Sequence, residues 1–564
     1  MSRLLLGLTA LSLSAPLAVA GPPKVKLAVV AFFDQMRGDY VERWRPLFGE
    51  GGFKRLQTEG AWFADCHYPH GITTTGPGHA SVLAGCSGDR HGIFSNNWYD
   101  RATGKTLYCA ASDRYRIVPP VPTSAPAEAP LDAKRRKQPD GGNPDRLLAP
   151  TLADAFKDAV GSRGKVFGVS LKDRSAIFPS GHKSDGAYWF DGRFVTSTYY
   201  RDALPAWVDA FNKSGKAESY FGKDWTRFRT DLDYAKFSGP DDGPGEGTGK
   251  AQGKTFPHPT TGGKDKIGKT YYEAMATSPY GNELLLTFAK ACIEAEKLGQ
   301  DDVPDLLTVS FSSNDLIGHA WGPDSQEVLD VTLRSDALIA DFLAYLDAKV
   351  GKGNYSFVVT ADHGACPNPE VSAAKGLDAR RVSPSKLLLG AERVLRDAYG
   401  APAGGKKDRS LWIEAVVAPY VYLNHRLLRA NGIDPDDAAA KLADWARHQD
   451  GVYRVYTAKQ LRGDAGGDAV LAAMRKSYYA DRAGDLVVVL KPYYLLSTYV
   501  TGTSHGTPHE YDTHVPLLVY GPGVPGGRRT EKVAPQQACP IVADFLGVAP
   551  PKTCEYGLPA TLAK

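Results

Sequence analysis

The sequence predicts an α/β fold, a mostly parallel central sheet with helices on both faces and inserted cap segments. Three observations carry that expectation. Short apolar runs rich in Val, Leu and Phe recur along the chain without polar alternation, as in strands buried on both faces. Segments with apolar residues at helical spacing lie between them. Four of the runs end in a polar group, at Asp34, Lys172, Asp315 and Asp362. Parallel sheets interleaved with helices place their ligand sites outside the carboxyl ends of the strands.

In chain order, Lys26 to Phe33 (KLAVVAFF) is the first such strand, and it stops at Asp34. Gly71-Ile72-Thr73-Thr74-Thr75-Gly76-Pro77-Gly78-His79-Ala80-Ser81 reads as a tight turn feeding a helix, Ala80 to Ala84, with Pro77 where a first helical turn tolerates it. A hydroxyl held at that entrance faces free backbone N–H groups and a positive helix end, a good place for an anion to arrive. Of the three threonines, Thr75 is favoured as a positioned nucleophile. His91 to Asp100 (HGIFSNNWYD) is a loop with two adjacent amides, Asn96 and Asn97. Residues 118–149, rich in Pro, Ala and charge and including Lys134-Arg135-Arg136-Lys137, read as an exposed connector. A helix marked by Leu152, Phe156 and Val160 precedes the strand Val166 to Leu171, which ends at Lys172-Asp173-Arg174.

From about 182 to 275 the chain reads as a cap insertion over the sheet's working edge. It is aromatic at first (Tyr188, Trp189, Phe190, Tyr199, Tyr200, Trp207) and Gly/Pro/Lys-rich at a mobile tip, Ser238 to Lys254. Leu285, Phe288, Ala289 and Cys292 share a helical face before the strand Leu306 to Phe311, which runs into Ser312-Ser313-Asn314-Asp315-Leu316-Ile317-Gly318-His319. A long helix follows, marked by Leu338, Phe342, Tyr345 and Leu346. Ser356 to Thr360 is a further buried strand, ending in Ala361-Asp362-His363-Gly364. Residues from about 366 to 500 read as a second insertion together with the remaining edge of the sheet. They hold a helix, Asp437 to Arg447, and strands Val416 to Leu423 and Leu486 to Leu490. The last signals are the Gly-flanked His505 and the strand Val515 to Tyr520.

Composition bounds the function. The 564 residues are 43% hydrophobic and 23% charged, as in a soluble globular protein. A net charge of +4 over this length makes no case for nucleic acid or a membrane surface. Arg3 precedes an apolar run, Leu4 to Val19, that closes on Ala18-Val19-Ala20. This reads as a signal peptide, residues 1–20, too short for a membrane span. Residues 21–564 would then form a periplasmic or secreted catalytic domain without stable membrane association, monomeric by default. Seven cysteines allow up to three disulfides there, Cys539–Cys554 first and Cys86–Cys109 second.

The strand-end residues sort into two ion sites. Asp315 and His319 have a D-x-x-x-H spacing that lets both reach one ion, with His505 adding an imidazole. Asp34, Thr75, Asp362 and His363 form the other group. Imidazole with carboxylate suits zinc, two ions per chain. Two ions clamp the attacking and leaving oxygens of an in-line displacement, so a bare threonine can attack without a general base. Two divalent ions balance the three carboxylates and a Thr75 alkoxide. Lys172 and Arg174 then add two positive charges, which matches a phosphate monoester dianion better than a diester monoanion. Asn96 can donate to another phosphoryl oxygen.

Together TTTGPGHAS, HGIFSNNWYD, SLKDRSAIFPSGH, NDLIGHAWGPDS, TADHGACP and SHGTPHEYDTHVPLL resemble the alkaline phosphatase superfamily. Within it they are similar to the PafA-type, threonine-nucleophile alkaline phosphatases, related to nucleotide pyrophosphatase/phosphodiesterases. The similarity runs from about Lys26 to Gly523. It implies Thr75 as nucleophile and Asn96, Lys172 and Arg174 as phosphate ligands. It also implies Asp34, Asp362 and His363 on one zinc and Asp315, His319 and His505 on the other. His509 and His514 are rivals for His505, and Asn97 for Asn96, although the HGI-x-x-N register favours Asn96. Other bacterial members use a serine and a third, magnesium site, for which this sequence shows no clear replacement.

The expectation is an exported dizinc phosphomonoesterase acting on small phosphate esters through a covalent phosphothreonine. A phosphodiesterase of the pyrophosphatase type is the enzyme alternative. A non-catalytic zinc or phosphate binder is the alternative from another class. A sulfatase is excluded by the lack of a C-x-P-x-R or S-x-P-x-R run.

Overall fold

The computed structural model describes residues 21–120, 141–402 and 411–563. The expected signal peptide, residues 1–20, and the basic run Lys134 to Lys137 lie outside the described residues. The strands in chain order are β1 Leu27–Phe33, β2 Ala61–Cys66, β3 Ile117–Val118, β4 Val166–Ser170, β5 Gly186–Phe190, β6 Phe194–Ser197, β7 Asp305–Phe311 and β8 Tyr355–Thr360. Then follow β9 Ile413–Val417, β10 Tyr420–Leu423, β11 Val452–Thr457, β12 Leu486–Leu490, β13 Leu517–Tyr520 and β14 Gly527–Val533. The central sheet has the order β14-β2-β13-β8-β1-β7-β4-β5-β6-β3.

Its middle is parallel: β1 pairs with β7 and β8, and β7 with β4. Every residue of β1, β7, β8 and β4 is buried, as unbroken apolar runs require. Side chains alternate across a strand, and the alternation here finds a helix on each side. Phe32 meets His79 at 4.8 Å between ring centroids, while Phe33 meets Phe53 at 5.9 Å. Because β8, β1, β7 and β4 are parallel neighbours, their carboxyl ends share one edge. Asp34, Lys172, Asp315 and Asp362 converge there. The sheet is mixed at its flanks, where β13 runs antiparallel to both β8 and β2, and β6 to β5 and β3.

Several expectations need correction. The helix expected at Ala80 begins at Thr75 and ends at Ala84 (α1), with Gly78 N–H bonded to Thr74 O at 3.0 Å. Thr75 therefore sits in the first helical turn rather than before it. Residues 186–197 are not cap: β5 and β6 extend the central sheet, and Phe194 stacks on Phe288. The second inserted segment carries a sheet of its own, β9-β10-β12-β11, detached from the central one. The strand read over Val416 to Leu423 divides into β9 and β10 around Ala418-Pro419, since proline cannot donate to a ladder. The remaining central edge comes from β13 and β14 instead.

The part of the connector described here is packed. Gly141–Gly142 pairs with Ala111–Ser112, and Asn143 and Leu147 are buried. All seven cysteines carry free thiols. Cys539 and Cys554, the first expected pair, lie side by side unbonded, both sulfurs against Gly85. Cys109 lies instead against Gly76. Among the described residues no helix is long and apolar enough to cross a membrane.

Candidate active site

Thr75 is 1% exposed at the start of α1. Gly78 brings this helix against the β8 end, because a Cβ there would stand 2.1 Å from the Asp362 carbonyl oxygen. Asn96 Oδ1 accepts the Gly76 N–H at 2.7 Å, which commits its oxygen and leaves its NH₂ as the donor. Asn97 opens a hairpin, Asn97–Asp100 with Lys105–Tyr108, instead of meeting the turn.

Lys172 lies two residues after β4 and stands at the N-cap of the next helix, α2 Asp173–Ser180, whose first turn holds Arg174. Lys172 Nζ lies 2.7 Å from Asp34 Oδ2 and 2.6 Å from Asp315 Oδ2, joining two strand ends. Burial opposes its charge, but Asp315 and Asp34 outweigh burial and hold its pKa above the ordinary value. One Arg174 NH₂ donates to Thr75 Oγ1 at 3.2 Å. The other donates to the Tyr108 hydroxyl at 3.1 Å, and that hydroxyl donates to Asp173 Oδ1 at 2.5 Å. Arg174 Nε is buried with no hydrogen-bond partner among the described residues. The edge of the guanidinium that faces Thr75 thus holds an unspent donor.

The imidazoles are arranged alike. His319 Nδ1 donates to Thr503 O, His363 Nδ1 to Gly364 O and His505 Nδ1 to Thr73 O, each at 2.8 Å. A carbonyl can only accept, so each Nδ1 carries a proton and each Nε2 turns inward, the orientation of a metal-ligating histidine. At His319 burial is outweighed by the Asp315 carboxylate, which raises the pKa. His319 and Asp315 lie four apart on α3 Ser313–Trp321, with Nε2 3.2 Å from Asp315 Oδ1. His363 Nε2 lies 3.3 Å from Asp362 Oδ2, 3.5 Å from Asp34 Oδ1 and 3.5 Å from Thr75 Oγ1. His505 Nε2 lies 3.6 Å from Asp315 Oδ1, and its ring stacks on His363 at 3.5 Å. Burial pushes His363 and His505 below the ordinary histidine range, so both are neutral near pH 7.

Asp34, Asp362 and His363 can each bring one atom within 4.8 Å of the others, and so can Asp315, His363 and His505. The second of these sets differs from the expected one: His363 stands in it where His319 was expected, and His319 lies beside it, 3.2 Å from Asp315 Oδ1. Asp34 Oδ1 and Asp362 Oδ2 are fully buried and have no hydrogen-bond partner among the described residues. A buried carboxylate oxygen without a donor is costly, and a divalent cation fits it. Burial and then Asp362 raise Asp34 well above the carboxylate range, whereas His319 and Lys172 overcome burial at Asp315 and hold it well below. The rival histidines face away: His509 Nε2 bonds Leu490 O at 2.8 Å and His514 Nε2 bonds Ala64 O at 3.0 Å.

Four supporting residues escaped the sequence reading. His79 bonds Thr75 O at 2.9 Å and Ser310 Oγ at 2.8 Å, and lies 3.2 Å from Asp362 Oδ2. Asp512 Oδ2 accepts the N–H groups of Gly506 and Thr507 and so fixes the loop carrying His505. Gln35 and Tyr108 carried no motif. Adjacency to Asp34 was the one available signal for Gln35.

Comparison with known proteins shows the family. A family model described as type I phosphodiesterase / nucleotide pyrophosphatase matches residues 28–514. Alkaline phosphatase PafA of Elizabethkingia meningoseptica is 33% identical over 534 residues, covering 93% of this chain and 92% of that protein. Alkaline phosphatase PhoV of Synechococcus elongatus is 34% identical over 554 residues, covering 95% and 92%. The crystal structure of wild-type alkaline phosphatase PafA matches with a TM-score of 0.85 at 32% identity, over 96% of this chain and 99% of that one.

Proposed function

This chain belongs to the type I phosphodiesterase / nucleotide pyrophosphatase family, and from that premise we propose an alkaline phosphatase, a phosphomonoesterase that works through a covalent phospho-Thr75. The observation that carries the reading is one hydroxyl, Thr75 Oγ1, held 3.2 Å from Arg174 and 3.5 Å from His363 at the edge where three carboxylates and three imidazoles converge. Identity of about a third with two alkaline phosphatases over almost the whole chain supports the monoesterase assignment.

Arg174, Lys172 and the Asn96 NH₂ bind the non-bridging phosphoryl oxygens. Their two positive charges and fixed donors favour a dianion. Thr75 Oγ1 attacks phosphorus in line, forming one P–O bond as the bond to the departing alcohol breaks, and water then hydrolyses the phosphothreonine. Asp34, Asp362 and His363 would hold one ion and Asp315, His319 and His505 the other, zinc being the metal that this donor set suits. Bound ions supply Lewis-acid stabilisation of the attacking and departing oxygens. The Leu4 to Val19 run and its Ala-x-Ala end support export to the periplasm or medium.

The family model's own description keeps a phosphodiesterase as second reading. Steady-state rates on p-nitrophenyl phosphate and methyl p-nitrophenyl phosphate, with metal content measured on the same sample, decide between them. The monoester should be turned over far faster by protein carrying two zinc ions. Chelation should abolish that activity and lower the Tm by several degrees, since ligand binding to the native state is linked to stability. A faster diester rate would establish the second reading, and full activity in metal-free protein would remove the metal assignment.

A further inference from the structure

Gln35 is the second residue after β1, next to Asp34, and it is one of four non-glycine residues at positive φ among those described, at 69°. A non-glycine side chain adopts that conformation at a cost and keeps it where surrounding contacts over-determine it. Here those contacts are two carboxylates from different strand ends. The Gln35 backbone N–H donates to Asp362 Oδ1 at 3.1 Å, and its side-chain amide donates to Asp315 Oδ1 at 2.7 Å. Gln35 is 4% exposed. Gly318, one residue before His319, clears the space: a Cβ on it would stand 1.8 Å from Gln35 Oε1.

Resting on the metal-site reading above, we propose that Gln35 is a positioning residue that ties the two ion-binding groups to each other and orients Asp315 for its ion. The chemistry favours an amide. It is a neutral donor, so it fixes a carboxylate without neutralising it, and its bond to Asp362 Oδ1 leaves Oδ2 for the cation. A glutamate of the same shape would have no N–H to give and would add a third charge between two like ones. Lys172 spans Asp34 and Asp315 in the same way from the substrate side. Gln35 is its uncharged counterpart, linking Asp362 to Asp315.

Outer contacts of this kind are worth roughly 10- to 100-fold in metal affinity or activity when removed. Two variants isolate the amide: Gln35→Met keeps the volume, and Gln35→Gly suits the positive φ and keeps the backbone N–H on Asp362. Zinc titration should show one site at wild-type affinity and the other, the Asp315 site, weakened about 10- to 100-fold. The visible spectrum of the cobalt-substituted protein should change for one ion of the two. At saturating zinc, kcat should fall with little change in KM, and the Tm of the chelator-treated variants should match that of the wild type. Unchanged zinc affinity and cobalt spectrum in both variants would overturn the proposal, as would equal weakening of both sites with a lowered metal-free Tm. If wild-type protein bound no zinc, the metal-site reading would fail instead.

Discussion

Thr75→Ala should lower kcat for p-nitrophenyl phosphate on the order of 10⁶-fold, the scale seen when a catalytic nucleophile is deleted. The substitution removes the one hydroxyl that Arg174 and His363 both approach, and it leaves the helix start intact, because alanine is the better helix former. Metal content and Tm should therefore stay near wild type while turnover is lost. Thr75→Ser keeps the attacking oxygen and should keep most of the activity. If Thr75→Ala retained near-wild-type rates, attack would belong to water or to another residue.

The second large effect is expected at Arg174. The edge toward Thr75 carries an NH₂ and a buried, unpartnered Nε, enough for two charge-assisted bonds to a phosphoryl group. At about 1.5–3 kcal/mol each, Arg174→Ala should lower kcat/KM for a monoester roughly 10²- to 10⁴-fold at 1.36 kcal/mol per decade. A diester carries one negative charge fewer and should lose roughly tenfold, a single bond's worth. The mono-to-diester ratio should thus collapse. Tyr108→Phe gives a graded version, since it frees the NH1 group from its brace without removing the guanidinium. Equal losses on both substrates would show that Arg174 does not count the charge on the phosphate.

The legible part of this molecule was the parallel centre of its sheet. Strands such as Leu27–Phe33 and Asp305–Phe311 are buried on both faces, so they read as unbroken apolar runs, and the polar residue ending each run was conspicuous. That was enough to collect Asp34, Lys172, Asp315 and Asp362, and the D-x-x-x-H spacing placed Asp315 and His319 on one helical face. The start of α1 was not legible, because Gly76 and Gly78 argue against helix locally. Gly78 is there to admit the Asp362 carbonyl, a tertiary reason invisible in the chain. β5 and β6 were taken for cap because their aromatic residues resemble a surface insertion, whereas they pack on Phe288 at the sheet's flank. The contacts of Gln35 and Tyr108 depend on which strands become neighbours. Gln35 reaches Asp315 and Asp362 only because β1 lies between β7 and β8.

The claim on which the rest depends is that a covalent bond forms between phosphorus and Thr75. The stereochemical course at phosphorus tests it directly, with an isotopically chiral phosphate monoester as donor and an alcohol as acceptor. Two successive in-line displacements give net retention, the result this active site predicts. Net inversion would mean one displacement, with the acceptor attacking the substrate itself and Thr75 reduced to a bystander.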